Sequence, residues 1–450
     1  MRKTAFISVL AALLVPGAAS AAPGDLDPSF GSGGLVVSEV DKRSRVDYGE
    51  FQDVVGLEGS RVLAIGTTYR KERDGRRTVT RTRALVARFR ANGHLDRSFS
   101  KNGIALINTK QRRDDGAALA VLGNGKILAG FNSGSADHYG ARLQMAVARL
   151  RPNGRLDRRF GRNGVARTRI SRGGISNNEM VDLTTDRAGR PVAVGSFQKD
   201  YEGGPKDISV IRLSRSGRLD SSLAGGGKLV LSLEGAAPDG SGNIGLEEEE
   251  PSGVAIDSQN RIVIAGSASE FIPPSATLLH GLVRLTVGGD LDDSFSDDGW
   301  RIDSEPEFGP AGVAVVADDA ILVGGGDPGD FGVLRFDADG TPDEDFGEGG
   351  VAHAGLTGVF GTAFDVSPGG QPIVAGRTAR VDGRSDLAVA RFTPTGSLDT
   401  SFGNDGSVRT SLRREDVPNS VSAHPDGRII LAGRASTRKK TFYALARYLP

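Results

Sequence analysis

Seven copies of an eleven-residue motif, short β-patterned runs between them, and two chain ends that complete each other predict an all-β fold, a seven-bladed β-propeller of four-stranded blades. The motif opens as GDLDPSFGSGG at Gly24 and returns as GHLDRSFSKNG at Gly93, GRLDRRFGRNG at Gly154 and GRLDSSLAGGG at Gly217. GDLDDSFSDDG at Gly289, GTPDEDFGEGG at Gly340 and GSLDTSFGNDG at Gly396 complete the set. Copies stand about 50 to 70 residues apart, a period at which each unit buries its apolar face against the next.

Each repeat carries four strand signals. Two are short runs around a Gly or Asn turn, as in GAALAVLGNGKILAG from Gly116 and PSGVAIDSQNRIVIAG from Pro251, the pattern of a hairpin. A third precedes the motif, as in ALVARF from Ala84 and AVARL from Ala146, and a fourth follows it, as in GIALI from Gly103. The ends decide between a closed ring and a solenoid. Phe442 to Pro450 is a third strand that stops where a motif is due, and the N-terminal region supplies that motif, Gly24 to Gly34, with its following strand from Leu35. Joined, they complete one blade and remove the open edges, whereas a solenoid needs polar caps.

Composition agrees. The 450 residues include 64 Gly and no Cys, which excludes a disulfide scaffold, a thiolate metal site and a cysteine nucleophile. With 38% apolar and 25% charged residues, the chain is neither disordered nor collagen-like. Before the first motif, Arg2 and Lys3, an apolar run from Ala5 to Val15, and small residues through Ala21 form the three parts of a secretory signal peptide, residues 1–21. The apolar run is short of the roughly 20 residues that span a bilayer. Residues 22–450 are expected to form one exported domain, with no membrane span in the mature chain.

The seven motifs resemble the delta-60 repeat proteins of bacteria, whose core G-x-L-D-x-S-F-G-x-x-G recurs at this period. The likeness covers essentially all of the chain beyond the leader. It implies a β-propeller and carries no established activity. Departures are local: Leu223 replaces Phe in the fourth copy, Pro342 replaces Leu in the sixth, and Ser100 and Ser296 replace Gly. The fourth and sixth units are expected to pack differently.

Asp27, Asp96, Asp157, Asp220, Asp292, Asp343 and Asp399 recur at one motif position. A carboxylate there accepts backbone N–H bonds and fixes a turn, so these residues read as scaffold. Phe30, Phe99, Phe160, Phe295, Phe346 and Phe402 are expected to pack between blades, and Trp300, which directly follows a motif, to serve blade packing and not sugar stacking. The segment Asp337–Asp343 is a repeat turn lacking the distal Glu of a calcium loop. His94, His138, His280, His353 and His424 show no metal-ligand spacing, and Gly324-Gly325-Gly326 precedes no phosphate-binding helix. No metal and no cofactor is expected.

Two loops that vary open on one rim, Thr67–Thr82 and Glu234–Pro251, while the other rim holds the near-constant turns. Charge divides the ring: residues 51–200 hold 29 Lys and Arg against 13 Asp and Glu, and residues 201–350 hold 9 against 29. Such opposed arcs steer charged partners or promote self-association. Arg70, Lys71, Arg73, Arg76 and Arg77 form the candidate binding loop, for a protein or an anionic cell-envelope polymer. Without interleaved aromatics, the arc does not read as a nucleic-acid surface. A non-catalytic binding scaffold is therefore the first functional reading. The alternative is an extracellular glycan- or lactone-directed hydrolase or lyase, with carboxylates or a metal converging at the channel mouth from Asp53, Asp115, Asn178, Glu179, Glu250, Asp416 and Asn419.

Overall fold

Both faces of the middle strands of each repeat are apolar, as in ALVARF, and such a strand must be covered on two sides. The computed structural model describes the chain except residues 1–20, 39–47, 75–76, 138–139, 171–175, 200–205, 233–245, 273–274, 304–307, 327–328 and 381. The proposed leader, apart from Ala21, thus lies outside the described residues. The chain is a seven-bladed β-propeller of four-stranded antiparallel blades. The inner strands of blades 1 to 7 are Tyr48–Leu57, Arg113–Val121, Asn177–Thr185, Leu246–Ile256, Gly309–Val315, Val359–Val366 and Glu415–Ala423. From each, the chain steps outward through a hairpin turn, two further strands and the motif.

The ring closes as the two ends predict. The outer strand of blade 7 is Leu35–Ser38, paired with Thr441–Tyr448 in a register from Leu35↔Ala446 to Ser38↔Tyr443. One bridge, Lys206↔Glu248, also ties blade 3 to blade 4.

Apolar residues gather between blades, with a separate cluster at each junction. Leu63, Phe99, Leu119 and Phe131 fill the space between blades 1 and 2, and Phe30, Phe51, Ile430 and Tyr443 fill the closing junction of blades 7 and 1. All six motif phenylalanines are buried, as expected. Trp300 packs against the cluster between blades 3 and 4. The glycine string at 324–326 ends a strand whose backbone lies against the Phe364 ring of blade 6. That is close packing with no phosphate cradle.

Two loop assignments are corrected. Thr67–Thr82 is a two-stranded ribbon: Arg61–Asp74 and Arg77–Phe89 stay paired beyond the sheet, from Tyr69↔Thr82 to Asp74↔Arg77. Alternating Thr and Arg at 77–83 favour an extended chain, and Arg81 pairs with Glu72 at 2.9 Å across the ribbon. In the second, Leu246–Pro251 belongs to the inner strand of blade 4, and residues 234–245 lie outside the described residues.

Candidate functional site

On the motif rim, every motif aspartate meets an arginine. Arg88, Arg149, Arg212, Arg284, Arg335 and Arg391 pair with Asp96, Asp157, Asp220, Asp292, Asp343 and Asp399, and Arg447 pairs with Asp27, all at 2.7 to 3.0 Å. The guanidinium lies over the motif phenylalanine, 4.7 Å from the Phe99 centroid in blade 1. Arg88 also donates to the Pro152 carbonyl of blade 2, so one side chain joins a turn, a ring and the neighbouring blade. Burial pushes the Asp27 carboxyl up, but hydrogen bonds from Ser29 and the Arg447 charge outweigh it and hold the group below the usual range. These aspartates are latches. The arginine stands eight residues before each Asp within the chain, a spacing visible in the sequence and not used above. The fourth and sixth copies do differ: Leu223 offers Arg212 no ring, and Arg335 sits 5.8 Å from Phe346.

In the channel, each inner strand carries a β-bulge at one register, between Phe51/Asp53, Gly116/Ala118, Met180/Asp182, Pro251/Gly253, Pro310/Gly312, Gly361/Ala363 and Pro418/Ser420. A bulge turns side chains away from the sheet and interrupts the edge. Asp53 uses the freed position to accept the N–H groups of Val54 and Leu119 and the hydroxyl of Ser420, joining blades 1, 2 and 7. Asp182 receives Leu183 and Val254, and Asp365 receives Val366 and Ala423, each spanning to the next blade. Burial raises the Asp53 carboxyl to about 7; hydrogen bonding pulls it back, and the Asp182 charge adds to the rise. Burial likewise raises Asp182, and takes Asp365 to about 6.

The remaining channel-mouth candidates divide by register. Asn178 and Asp416 lie buried three positions before the bulge, and Asp416 fixes the loop before its own strand through Leu412 and Arg413 N–H. Asp115, Glu179 and Glu250 stand one position further on and are met by Arg113, Asn177 and Lys206. The Asn419 amide donates to the Phe51 carbonyl. The structure brings Asp53 and Asn419 to one junction and gives the other five partners in their own neighbourhoods. Asp182 and Asp365 escaped the sequence reading because nothing in the residue pattern marks a bulge. Among the described residues no group of three or more His, Asp or Glu is placed to hold a metal.

Opposite the motif rim, the junction of blades 7 and 1 opens into a cleft of about 560 Å³. Arg414, Arg434 and Arg438 line it with Glu50, Glu415 and Tyr48. Arg434 reaches Glu50 at 2.9 Å. Tyr48 is 41% exposed and stacks on Tyr69, centroids 4.4 Å apart, at the root of the basic ribbon. Of the candidate binding residues, Arg70 lies 3.6 Å from Glu72, and Lys71 and Arg73 are exposed on the ribbon. Arg76 lies outside the described residues, and Arg77 begins the second ribbon strand. Cations, one exposed hydroxylated ring and a wall of threonine and serine suit an anionic, hydroxyl-rich ligand.

Three stretches, residues 122–160, 317–346 and 370–402, match a family described as a domain of unknown function (DUF5122) β-propeller. No curated protein matches the sequence. Among solved structures, the chain is similar to a sialidase of Trypanosoma rangeli at 14% identity and a TM-score of 0.41, over 92% of this chain and 59% of that one. A Hadza microbial sialidase matches at 11% identity and a TM-score of 0.45, over 83% and 74% of the two chains. An α-L-arabinofuranosidase of Fusarium graminearum matches at 10% and 0.41, over 92% and 95%. Among the described residues no helix is long and apolar enough to cross a membrane.

Proposed function

We propose that this propeller is a secreted, non-catalytic binding scaffold of the delta-60 repeat type that holds an anionic cell-envelope polymer at the junction of blades 7 and 1. The observation that carries the reading is the cleft: three arginines against two acids, beside the exposed Tyr48 stacked on the half-buried Tyr69. Arg434 is held by Glu50, which leaves Arg414 and Arg438 to meet carboxylate or phosphate groups. The ribbon continues the positive surface through Arg70, Lys71 and Arg73. Export rests on the leader pattern of residues 1–21. The repeat name rests on the motif sequence, which falls at the turn before each outer strand.

The enzymatic alternative finds less support. Asp53 and Asp182 hold inner-strand N–H groups of two blades on both carboxylate oxygens, which commits these side chains to joining the blades.

The test is retention of the mature protein on immobilised alginate and on uncharged dextran at low salt. Wild type is expected to bind alginate alone. Y48A/R414S/R438S is expected to lose at least tenfold in affinity, and Arg70, Lys71, Arg73, Arg76 and Arg77 changed together to Ser are expected to weaken it further. Retention of both variants at the wild-type level overturns the reading. N-terminal sequencing of protein from the culture medium is expected to begin at Ala22; a chain that keeps residues 1–21 overturns the export assignment.

A further inference from the structure

Between blades 2 and 3, on the outer side of the motif rim, lies a second cleft of about 520 Å³. Arg159, Arg162, Arg167 and Arg218 line it, with Val165 and Leu219 among its apolar residues, and no acidic side chain is present. All four arginines are exposed, and none of their guanidinium groups has a hydrogen-bond or ion-pair partner among the described residues. Unneutralised guanidinium groups sharing one concavity repel each other, a cost that an anion in the cleft removes.

The repeat supplies its own comparison. The same four positions hold Ser98, Lys101, Leu106 and Arg155 in the preceding groove, and Asp345, Glu348, His353 and Ser397 three grooves on. The accumulation is therefore not a property of the motif. Arg159 stands where five copies have serine, and those hydroxyls, of Ser29, Ser98, Ser222, Ser294 and Ser401, donate to the motif aspartate. In this copy Asp157 Oδ1 accepts the Arg159 N–H without a hydroxyl, while Lys126 holds Oδ2 at 2.9 Å, as Arg190, Arg261 and Arg428 hold Oδ2 in copies that also have the serine. The hydroxyl bond is given up here, and the position beside the groove carries a cation.

We propose that this groove is a binding site for an oligoanion, a sugar-sized molecule bearing two or more phosphate or sulfate groups, with its apolar face on Leu219 and Val165. Planar guanidinium forks match the oxygens of such groups. The site shares no residue with the cleft at blades 7 and 1, so either can fail alone.

Titration calorimetry of the mature protein at about 0.1 M salt tests it, with tripolyphosphate, a sulfated disaccharide and orthophosphate as probes. One molecule of tripolyphosphate or of the disaccharide is expected to bind per chain, at least tenfold tighter than orthophosphate; the tighter of the two names the class. R162S/R218S changes two exposed side chains and is expected to melt as wild type while losing at least tenfold in affinity and part of the salt dependence. R409S, at the matching position of the groove between blades 6 and 7, is expected to bind as wild type. Equal binding by R162S/R218S and wild type, equal loss in R409S, or no binding of any probe overturns the site.

Discussion

The Arg447 guanidinium meets the Asp27 carboxylate at 2.9 Å across 420 positions of sequence. The same arginine stacks on Phe30 at 4.3 Å and donates to the carbonyls of Ser60 and Ala91, so the closing blade is held by the device that orders every other blade.

Arg447 and Asp27 are both almost fully buried, and removal of one leaves the other charged and unpaired. R447A is expected to lose about 3 to 5 kcal/mol in urea unfolding. R335A, where the arginine is 28% exposed and Asp343 lacks the serine partner, is expected to lose about 1 kcal/mol. Equal losses would show that the latch does not depend on burial.

Stability should depend on the channel carboxylates. The Asp53 pKa is raised in the fold, so the native state binds more protons than the unfolded chain between its ordinary value near 4 and about 7. Stability from this group is therefore present below pH 4 and lost as pH rises to 7, by at most about 4 kcal/mol. Burial lowers His280 and His424, which works in the opposite direction below pH 6.5. The measurement is thus the wild type minus D53N difference across pH 4 to 8, expected to fall with rising pH; a flat difference removes Asp53 as its source.

The first motif glycine is demanded by a close approach. Gly217 has φ +81, and a Cβ there would lie 2.6 Å from the Gly161 nitrogen of the adjoining blade. Gly33 has φ +61 and open space around it. G33A is expected to cost about 1 kcal/mol, from backbone conformation alone, and G217A several times more. Chemical denaturation of both variants decides.

Arg159 leaves its latch one bond short. R159S places a hydroxyl where five sister copies donate to the motif aspartate, and is expected to gain about 1 kcal/mol in urea unfolding. K126A is expected to cost about 1 kcal/mol, because Asp157 loses a partner on its other oxygen. An R159S variant no more stable than wild type would refute the missing bond.

The ring was legible because the motif repeats seven times and because Phe442–Pro450 lacks what Gly24–Leu35 supplies. Latch residues were legible in part: the aspartates stood out, whereas their arginines hid inside strands such as ALVARF. The bulges were not legible. Gln52, Ala117, Val181 and Asn419 occupy equivalent places and share no chemistry, since a bulge is set by packing between blades. The ribbon at 67–82 read as a loop because beyond Thr68 and before Thr82 neither of its faces enters the core, so hydrophobic alternation has no cause there.

The register from Leu35↔Ala446 to Ser38↔Tyr443 has a mechanical consequence. Chain entering at Gly24 and chain leaving at Leu449 lie on the same side of this strand pair, bonded to each other from Gly24 N to the Leu449 carbonyl. Tension between them acts first on that bond, then on Arg447 and Asp27, then on each ladder bond in turn. The blade would peel open like a zipper at low force, where a parallel arrangement would resist in shear.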